Sequence, residues 1–313
     1  MAMMKAVGIQ HYGGPEVVVL GDWPKPQPGP GEILIRVHAA GVNVLDWKVR
    51  DGSVAQFLPG PPPFILGADV SGVVEKVAKG VTRAQVGDSV FGQIGLLGGY
   101  AEFAVTAENR IAAKPDSLSH AEAAAIPVAG STANEALFAL GKLSRGERVL
   151  IHAGSGGVGT YAIQLAHDAG AYIVTTTSAN NADFVRSLGA DEVIDYRTIP
   201  FEQEVRDIDL VIDTQGGEVL RRSWLVLKPE GRMVTTVPPE PGDLVYGNRT
   251  ASFAIGKPDR DGANLDRLAQ LAADGRLRPQ LQQMLSLADA GEALELSKAG
   301  HVRGKLVLAV YVA

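Results

Sequence analysis

A glycine-rich hexapeptide is the residue pattern with the clearest chemical meaning in this chain. Residues 154–159 read Gly-Ser-Gly-Gly-Val-Gly, directly after an apolar segment and before a segment typical of a helix. Because glycine has no Cβ atom, a pyrophosphate can approach the backbone N–H groups at the positive end of that helix. The pattern predicts a dinucleotide site, although a glycine-rich turn that binds nothing has the same local sequence. The predicted ligands in this loop are Gly154, Ser155, Gly156, Gly157, Val158 and Gly159.

The residues after the next predicted strand favour NADP(H) over NAD(H) as the cofactor. NAD-binding proteins of this kind carry an Asp or Glu about 20 residues beyond the loop, where it holds the ribose hydroxyls. Here residues 176–180 read Thr-Thr-Ser-Ala-Asn, and the first carboxylate, Asp183, falls in the following predicted helix. Hydroxyl and amide groups would not repel a 2′-phosphate, so we predict that Thr177 and Ser178 bind NADP(H). Ser178 is also a typical helix N-cap, and the two roles are compatible.

The composition excludes several other chemistries. The 313 residues include no cysteine, which excludes disulfides, thiolate nucleophiles and cysteine-ligated metals, and the six histidines show no metal-ligand spacing. A net charge of -6 gives no general attraction to nucleic acid. We find neither an apolar run of membrane-spanning length nor an apolar segment typical of an export signal. We therefore expect a soluble cytoplasmic protein that binds neither nucleic acid nor membranes.

Two regions with different patterns must position these groups. The first is rich in Pro and in short Val- and Ile-rich runs, which predicts a β-rich domain. Its predicted strands are residues 32–39, 69–77 and 89–93. After the Ala-rich helical segments 121–125 and 133–140, strands alternate with helices that end near Gly170, Gly189 and Gly231, and such crossovers require a parallel sheet.

The remaining predicted elements complete an α/β fold. The strands of the parallel sheet are residues 148–152, 172–177, 192–194, 210–213 and 232–237. The last third is predicted to contain helices at residues 264–274 and 288–299 and strands at residues 284–287 and 305–311.

Seven ordered stretches resemble one known family over nearly the whole chain. They are residues 39–46, 67–74, 86–92, 129–133, 153–159, 188–196 and 300–305. The chain resembles the zinc-independent quinone oxidoreductase branch of the medium-chain dehydrogenase/reductase superfamily. The resemblance implies a Rossmann-type, doubly wound NADP-binding domain at residues 123–275 and a β-rich GroES-like catalytic domain at residues 1–122 and 276–313.

The second of these stretches bears on the reaction. Zinc-containing relatives read Gly-His-Glu there, with the His as a metal ligand, whereas this chain reads Gly67-Ala68-Asp69. Without an open zinc site, metal-assisted alcohol oxidation loses its Lewis acid. The resemblance then implies NADPH-dependent hydride transfer to an acceptor that is already electrophilic, a quinone or an α,β-unsaturated carbonyl compound.

Two alternatives stay open. A 2-enoyl thioester reductase of the same superfamily would need a basic groove for the carrier phosphates, and no cluster of Lys and Arg stands out. A non-catalytic NADPH-binding sensor or structural protein would keep the glycine loop. NADPH consumption after an electrophile is added distinguishes an enzyme from a protein that only binds NADPH.

The resemblance also implies individual site residues. Asn43 and Thr132 match positions near the nicotinamide, and Tyr196 and Lys305 match positions that help hold the cofactor, Tyr196 near the adenosine phosphate. Asn43 and Thr132 could orient a carboxamide or an acceptor oxygen, but each could equally form an Asx-turn or a helix cap. Near the ends of two predicted strands, two more residues complete the predicted cofactor-binding set: Gln215 and Val237.

The segment after Asn43 departs from many relatives, which carry Pro before the Asp and Tyr after it. Trp47 takes the Tyr place, where it could stack on an aromatic acceptor but supplies no phenolic proton. Asp46 and Lys48 are candidates for orienting or protonating the acceptor and join Asn43 and Thr132 as predicted catalytic residues. A surface or interdomain ion pair is the alternative for both. Asp69 and His152 are interpreted as structural.

Position in loops suggests an acceptor pocket and an assembly. The predicted pocket residues are Val44, Trp47, Phe57, Leu58, Leu96 and Leu97, and the run 92–99 is predicted to be mobile.

Relatives pair an edge strand of the cofactor domain, which here would be residues 251–255, so we expect a homodimer.

Overall fold

Strand pairing separates the chain into two units. The structure is a computed structural model that describes residues 2–240, 242–254 and 261–311. The first unit contains residues 2–128 and 261–311, and the second contains residues 129–240 and 242–254. The predicted dinucleotide-binding domain, residues 123–275, includes the helix Asp261–Ala273. This helix groups with the first unit instead, because it packs on the strand Ile111–Ala113.

The described strands are numbered in chain order. They are β1 (Met3–Ile9), β2 (Val19–Pro24), β3 (Glu32–Val42), β4 (Phe64–Ile65), β5 (Asp69–Val77), β6 (Ser89–Gln93), β7 (Phe103–Ala107), β8 (Ile111–Ala113), β9 (Arg148–Ile151), β10 (Tyr172–Thr177), β11 (Glu192–Asp195), β12 (Ile208–Asp213), β13 (Leu227–Thr235), β14 (Val245–Tyr246), β15 (Arg249–Thr250), β16 (Ser252–Phe253), β17 (Leu281–Ser286) and β18 (Lys305–Ala309).

The described α-helices are numbered in the same way. They are α1 (Val44–Asp51), α2 (His120–Ala124), α3 (Pro127–Asn134), α4 (Gly157–Asp168), α5 (Ala182–Ser187), α6 (Phe201–Glu204), α7 (Gly217–Ser223), α8 (Asp261–Ala273) and α9 (Ala290–Ala299). Among the described helices, none is long and apolar enough to cross a membrane.

The main sheet of the first unit brings three distant parts of the sequence together. Its strand order is β17-β18-β3-β5-β6-β8, with β7 also paired to β3. In the antiparallel pair β3–β5, Gly41 lies opposite Asp69, and in the pair β18–β3, Leu306 lies opposite Val42. This register places the first residues of β5 and β18 beside the end of β3. The sheet is held by buried branched side chains of β3 such as Ile33 and Ile35.

The second unit contains a six-stranded parallel sheet in the order β11-β10-β9-β12-β13-β16. The connections from β9 to β13 carry helices α4 to α7, and the order reverses beside β9, as in doubly wound folds. Buried Leu150, Val174 and Val211 belong to the apolar core of this unit. The predicted α/β fold with a parallel sheet is thus confirmed.

Several element boundaries match the sequence prediction, and others differ by a few residues. The ranges of β5, β6 and β10 were predicted in full. Strand β3 continues past residue 39 to Val42, β17 begins before residue 284, and β18 ends at Ala309. The predicted helix at 133–140 is α3 followed by a π-helical segment, Glu135–Leu140. The predicted edge strand 251–255 contains β16 at the sheet edge, while Ile255 lies outside the described residues.

The prediction of a helix end near Gly231 was wrong. Helix α7 ends at Ser223, and Gly231 lies inside β13. Ile208 pairs with Leu227, whereas Leu210 pairs with Arg232, so the residues in between bulge out of the ladder. Glycine marks a strand bulge as readily as a helix end. Gly170 and Gly189, by contrast, follow α4 and α5 with positive φ, as predicted.

Candidate active site

The glycine loop lies between β9 and α4, and its glycines have two different functions. A Cβ atom at Gly159 would lie 2.3 Å from the Ala153 carbonyl oxygen, so this glycine permits close packing of the helix on the loop. A Cβ atom at Gly156 would meet only that same oxygen, at 3.3 Å. Gly156 is also the N-cap of α4. The loop therefore leaves space at the positive end of the helix, where the N–H groups can bind a pyrophosphate.

Hydroxyl and amide groups meet beside this loop. The Thr177 hydroxyl donates to Ser155 Oγ at 2.9 Å, and the Asn181 amide donates to the same oxygen at 3.2 Å. Asn181 also reaches Ser178 Oγ at 3.4 Å. Ser178 occupies the N-cap position of a short 3₁₀ turn, but its side chain makes no capping hydrogen bond. The predicted residues Ser155, Thr177 and Ser178 are thus brought together by Asn181, which sequence reasoning did not identify.

A cationic side chain, Arg197, lies just beyond the end of the neighbouring strand β11. Tyr196 directly follows β11, and its N–H donates to the Thr177 carbonyl at 3.3 Å. The Arg197 Nε donates to the Tyr196 hydroxyl at 3.4 Å, with the guanidinium carbon 5.7 Å from the ring centroid. Arg197 was also missing from the predicted set. Strands β10 and β11 are parallel neighbours. Thr177 ends β10 and Arg197 follows β11, so both residues lie at the same edge of the sheet.

The other predicted cofactor residues of this unit lie at further strand ends. Gln215 follows β12 and is exposed, and Val237 follows β13, with its N–H on Thr235 Oγ1 at 3.2 Å. Buried Asp213 accepts hydrogen bonds from the N–H groups of Gln215 and Gly216 and shapes the turn after β12. Thr132 lies half-buried in α3.

In the first unit, five polar side chains form a buried cluster at the end of β3. It consists of Asn43, Asp46, Asp69, Tyr100 and Lys305, each at most 7% exposed. The Lys305 ammonium donates to the Val42 carbonyl at 2.6 Å and to Asn43 Oδ1 at 2.5 Å. The Asn43 amide donates to Asp69 Oδ2 at 3.0 Å, and Asp69 Oδ1 also accepts the Val128 N–H at 3.1 Å. We call this group the polar cluster.

Asp46 extends the polar cluster to the first turn of α1. Its Oδ2 accepts the Asn43 backbone N–H at 2.8 Å and the Tyr100 hydroxyl at 2.6 Å. Its Oδ1 has no hydrogen-bond partner within the described residues. The surface ion pair considered for Asp46 is therefore wrong, since its carboxyl is buried against a phenol. The structural interpretation of Asp69 was incomplete, because Asp69 directly holds the predicted site residue Asn43.

Burial governs the electrostatics of the polar cluster. It raises the pKa of Asp69 to about 7, against the attraction of the Lys305 ammonium, and it raises the pKa of Asp46 to about 6, against the Tyr100 hydrogen bond. Burial likewise lowers the pKa of Lys305 and raises that of Tyr100. The pKa values of both carboxyls therefore lie closer to neutral pH than the ordinary value for Asp.

These contacts fix the orientation of the Asn43 amide. Its oxygen must face the Lys305 ammonium, which can only donate, and its nitrogen must face Asp69. Within the described residues, one N–H of the amide is left to donate to a ligand. Asn43 can therefore act as a single directed donor.

The remaining predicted residues of the first unit vary in exposure. Val44 and Phe57 are exposed, whereas Leu58, Leu96 and Leu97 are half-buried. Trp47 is half-buried, and the ammonium groups of Lys48 and Lys298 lie 5.5 and 5.6 Å from its ring centroid. Their assignment to an acceptor pocket stays a prediction.

Comparisons with known proteins agree with this architecture. Residues 29–116 match the family described as "Alcohol dehydrogenase GroES-like domain", and residues 188–308 match "Zinc-binding dehydrogenase". Quinone-oxidoreductase QR1, chloroplastic, of Triphysaria versicolor is 35% identical and covers 98% of both chains. The chain belongs to the quinone oxidoreductase branch of the medium-chain dehydrogenase/reductase superfamily.

Two further members of the superfamily are similar over most of their length. NAD(P)H oxidoreductase RTN4IP1, mitochondrial, of Danio rerio is 34% identical over 90% of this chain and 84% of its own. The structure of the quinone oxidoreductase from Coxiella burnetii superposes with a TM-score of 0.91 at 36% identity, covering 99% of this chain and all of that one. The protein is therefore an oxidoreductase of the medium-chain type with a GroES-like first unit.

The family description "Zinc-binding dehydrogenase" raises the question of whether these residues fit zinc. Within residues 2–240, 242–254 and 261–311, no three His, Asp or Glu side chains are grouped so that they could hold a metal, and the sequence has no cysteine. Asp69 is already bound by the Asn43 amide and the Val128 N–H, and its neighbour Ala68 has no donor atom. The described residues therefore offer no grouped set of side-chain donors for zinc.

The raised pKa of Asp69 predicts a pH-dependent stability. The folded state binds this proton with a pKa of about 7, compared with an ordinary value of 3.8. The stability that the protonated carboxyl contributes is complete below about pH 4 and is lost as the pH rises through 7. We expect the free energy of unfolding, relative to that of the Asp69→Asn variant, to fall by about 2 kcal/mol between pH 5 and 8.

Urea unfolding of both proteins across this range measures the difference. The comparison removes the contributions of His120 and His152, whose pKa values burial lowers, because these residues titrate in both proteins. A constant difference between pH 5 and 8 would show that Asp69 does not take up a proton on folding.

Proposed function

We propose that this protein is an NADPH-dependent, zinc-independent reductase of quinones or α,β-unsaturated carbonyl compounds. The observation that carries the proposal is the glycine loop at the start of α4, with the Ser155, Thr177 and Asn181 side chains joined beside it. The names of the relatives, quinone oxidoreductase and NAD(P)H oxidoreductase, support a nicotinamide cofactor and a quinone acceptor.

The residues of the second unit fit NADP(H). The N–H groups at the start of α4 would bind the pyrophosphate, because they have no intrahelical acceptor and lie at the positive helix end. Ser155 Oγ accepts from both Thr177 and Asn181, so its own proton is available for a phosphate oxygen. Ser178 and the cationic Arg197 would complete the contacts to the 2′-phosphate.

When bound, NADPH supplies a hydride to the electrophilic carbon or quinone oxygen of the acceptor. Asn43 would donate its remaining amide N–H to an oxygen of the acceptor and thereby orient it. Lys305 and Asp69 hold this amide in place through hydrogen bonds. The acceptor gains two electrons with the hydride, and solvent water protonates its oxyanion. The overall reaction converts NADPH, a proton and the acceptor into NADP⁺ and the reduced acceptor.

The acceptor class is tested by NADPH oxidation with three electrophiles. They are an ortho-quinone, an α,β-unsaturated aldehyde and an enoyl thioester, each at equal concentration. We expect the quinone or the aldehyde to give the highest kcat/KM. Higher activity with the thioester would favour the enoyl reductase alternative, and NADPH binding without oxidation of any acceptor would favour a non-catalytic binding protein.

Arg197 offers a direct test of the cofactor preference. Replacing Arg197 with Gln removes the cation beside the hydroxyl and amide groups, so we expect the Kd for NADPH to rise about tenfold. The Kd for NADH, which lacks the 2′-phosphate, is expected to change less than about twofold. Fluorescence titration with both nucleotides measures the two constants.

A matched variant controls for the loss of positive charge. Arg186→Gln removes an exposed cation that pairs with Asp183 on α5, and we expect it to leave both Kd values unchanged. If Arg197→Gln weakens NADPH and NADH equally, Arg197 does not recognise the 2′-phosphate.

A further inference from the structure

A chain of buried hydrogen bonds lies directly behind the start of the glycine loop. We propose that His152 is a positioning residue that fixes this loop for the nucleotide by acting as a neutral bridge between β10 and α7. The proposal rests on the nucleotide-binding role proposed above for the loop. It assigns a role to a histidine that sequence reasoning treated as merely packed.

The hydrogen-bond partners define the protonation of the ring. His152 is 1% exposed, with Nε2 2.9 Å from Ser223 Oγ and Nδ1 3.1 Å from Thr176 Oγ1. The Ser223 hydroxyl donates its single proton to the Val219 carbonyl at 2.7 Å. Ser223 must therefore accept from the ring, and the proton of a neutral imidazole lies on Nε2. Nδ1 is then an acceptor.

The direction of these bonds carries through to the loop backbone. Since Nδ1 accepts, the Thr176 hydroxyl donates its proton to His152. Thr176 Oγ1 is then an acceptor for the Ala153 N–H, which lies 3.2 Å away. The sequence of donors thus runs from Ala153 through Thr176, His152 and Ser223 to the Val219 carbonyl, and every polar atom in it has a partner.

Ala153 is the residue that needs such support. Its φ is +52°, in the left-handed region that an L-residue other than glycine seldom adopts. This conformation turns the chain from β9 into the glycine loop, where the Gly156 N–H donates to the Ala153 carbonyl at 2.9 Å and the Gly154 N–H donates to the Thr176 carbonyl at 3.0 Å. A strained residue persists only where its surroundings hold it. The bridge through His152 orients the hydroxyl that does so.

The surroundings of the ring keep it neutral. Burial, together with the nearby Arg222 guanidinium, lowers the pKa of His152 to about 3. The Phe201 ring packs edge-on at a centroid distance of 4.6 Å, and Arg222 is paired with Glu202. A neutral ring retains the acceptor at Nδ1 that the Thr176 hydroxyl requires.

Two measurements test the bridge. Nitrogen-15 NMR of the histidine rings in the full-length protein without nucleotide reads the tautomer, and fluorescence titration gives the Kd for NADPH. We expect the His152 ring to be protonated at Nε2 and unchanged between pH 8 and pH 5. We expect Thr176→Val, which keeps the shape but removes the hydroxyl, to raise the Kd about tenfold, and His152→Phe, which keeps an aromatic ring, to do the same.

A neighbouring threonine supplies the matched control. Thr175 is equally buried in β10, and its hydroxyl donates to the Ile151 carbonyl at 2.7 Å instead of joining the chain through His152. Thr175→Val should leave the Kd within about twofold of the wild-type value. His152→Asn, which can still accept from Thr176, should recover part of the affinity lost in His152→Phe.

Three results would overturn the proposal. One is a ring protonated at Nδ1, another is a wild-type Kd in both Thr176→Val and His152→Phe, and the third is an equal loss in Thr175→Val. A wild-type protein that binds neither NADPH nor NADH, with the Nε2 tautomer observed, would overturn the proposed function and leave the bridge itself established.

Discussion

Replacing Asn43 with Ala is expected to lower kcat for quinone reduction about 100-fold, the size of effect seen when one preorganised donor is removed from a reacting oxygen. Lys305 occupies the amide oxygen and Asp69 one N–H, so the group presents a single directed donor. In the proposed function, the glycine loop and other residues bind the nucleotide. The KM for NADPH should therefore change less than about threefold.

Steady-state kinetics with saturating NADPH measure this separation. Asp51→Asn is the control, because Asp51 ends the same helix and bonds to Ser53 instead of to the polar cluster. Its kcat should match that of the wild-type protein. A wild-type kcat in Asn43→Ala would remove Asn43 from the reacting part of the site, and a large rise in the KM for NADPH alone would make it a cofactor ligand.

Replacing Lys305 with Met is expected to lower the free energy of unfolding by about 3–5 kcal/mol at pH 8, since the buried carboxylates of Asp69 and Asp46 then lose the nearby positive charge. Lys305 attracts both Asp69 and Asp46, which are buried within the polar cluster. At pH 5 both carboxyls are protonated, because their pKa values of about 7 and about 6 lie above that pH. The loss should therefore be smaller at pH 5 than at pH 8.

Urea unfolding of the wild-type and Lys305→Met proteins at the two pH values checks this expectation. The double variant Lys305→Met, Asp69→Asn removes one of the unpaired carboxylates and should regain part of the stability lost at pH 8. An equal loss at pH 5 and pH 8 would show that Lys305 contributes through packing and its bond to Val42 rather than through charge.

Local patterns in the sequence were sufficient to predict much of the fold. The limits of β5 and β10 were predictable because each is a run rich in branched residues. The glycine loop was predictable because its function depends on consecutive residues. Gly231 misled the prediction, since a glycine in a strand bulge and a glycine after a helix give the same local signal.

The polar cluster was only partly predictable, because its members meet through strand register. Tyr100 lies 54 positions from Asp46, and Lys305 lies 262 positions from Asn43. The pairing of β3 with β5 and β18 brings three of them together, and a single sequence does not specify that register. The resemblance indicated Asn43 and Lys305 but assigned Lys305 to the cofactor. Residue type does not reveal its burial or the bond from its ammonium to Asn43, and its assignment to the cofactor stays a prediction.

Asn181 and Arg197 show a further limit of sequence reasoning. Both lie just beyond predicted strands. The prediction concentrated on residues 176–180, because the carboxylate that NAD-binding proteins carry is missing there. Their contacts to Ser155 and Tyr196 depend on how the chain turns after β10 and β11. Scanning every polar residue after each parallel strand would have included both.

The proposed function is NADPH-dependent reduction of an electrophile without zinc. The most direct measurement follows the loss of NADPH absorbance after phenanthrenequinone is added to protein freed of metal and kept in a chelator, with NADH in a parallel reaction. We expect rapid NADPH oxidation that added zinc does not increase, with kcat/KM for NADH at least about tenfold lower. Oxidation that appears only after zinc is restored, or equal use of NADH and NADPH, would contradict it.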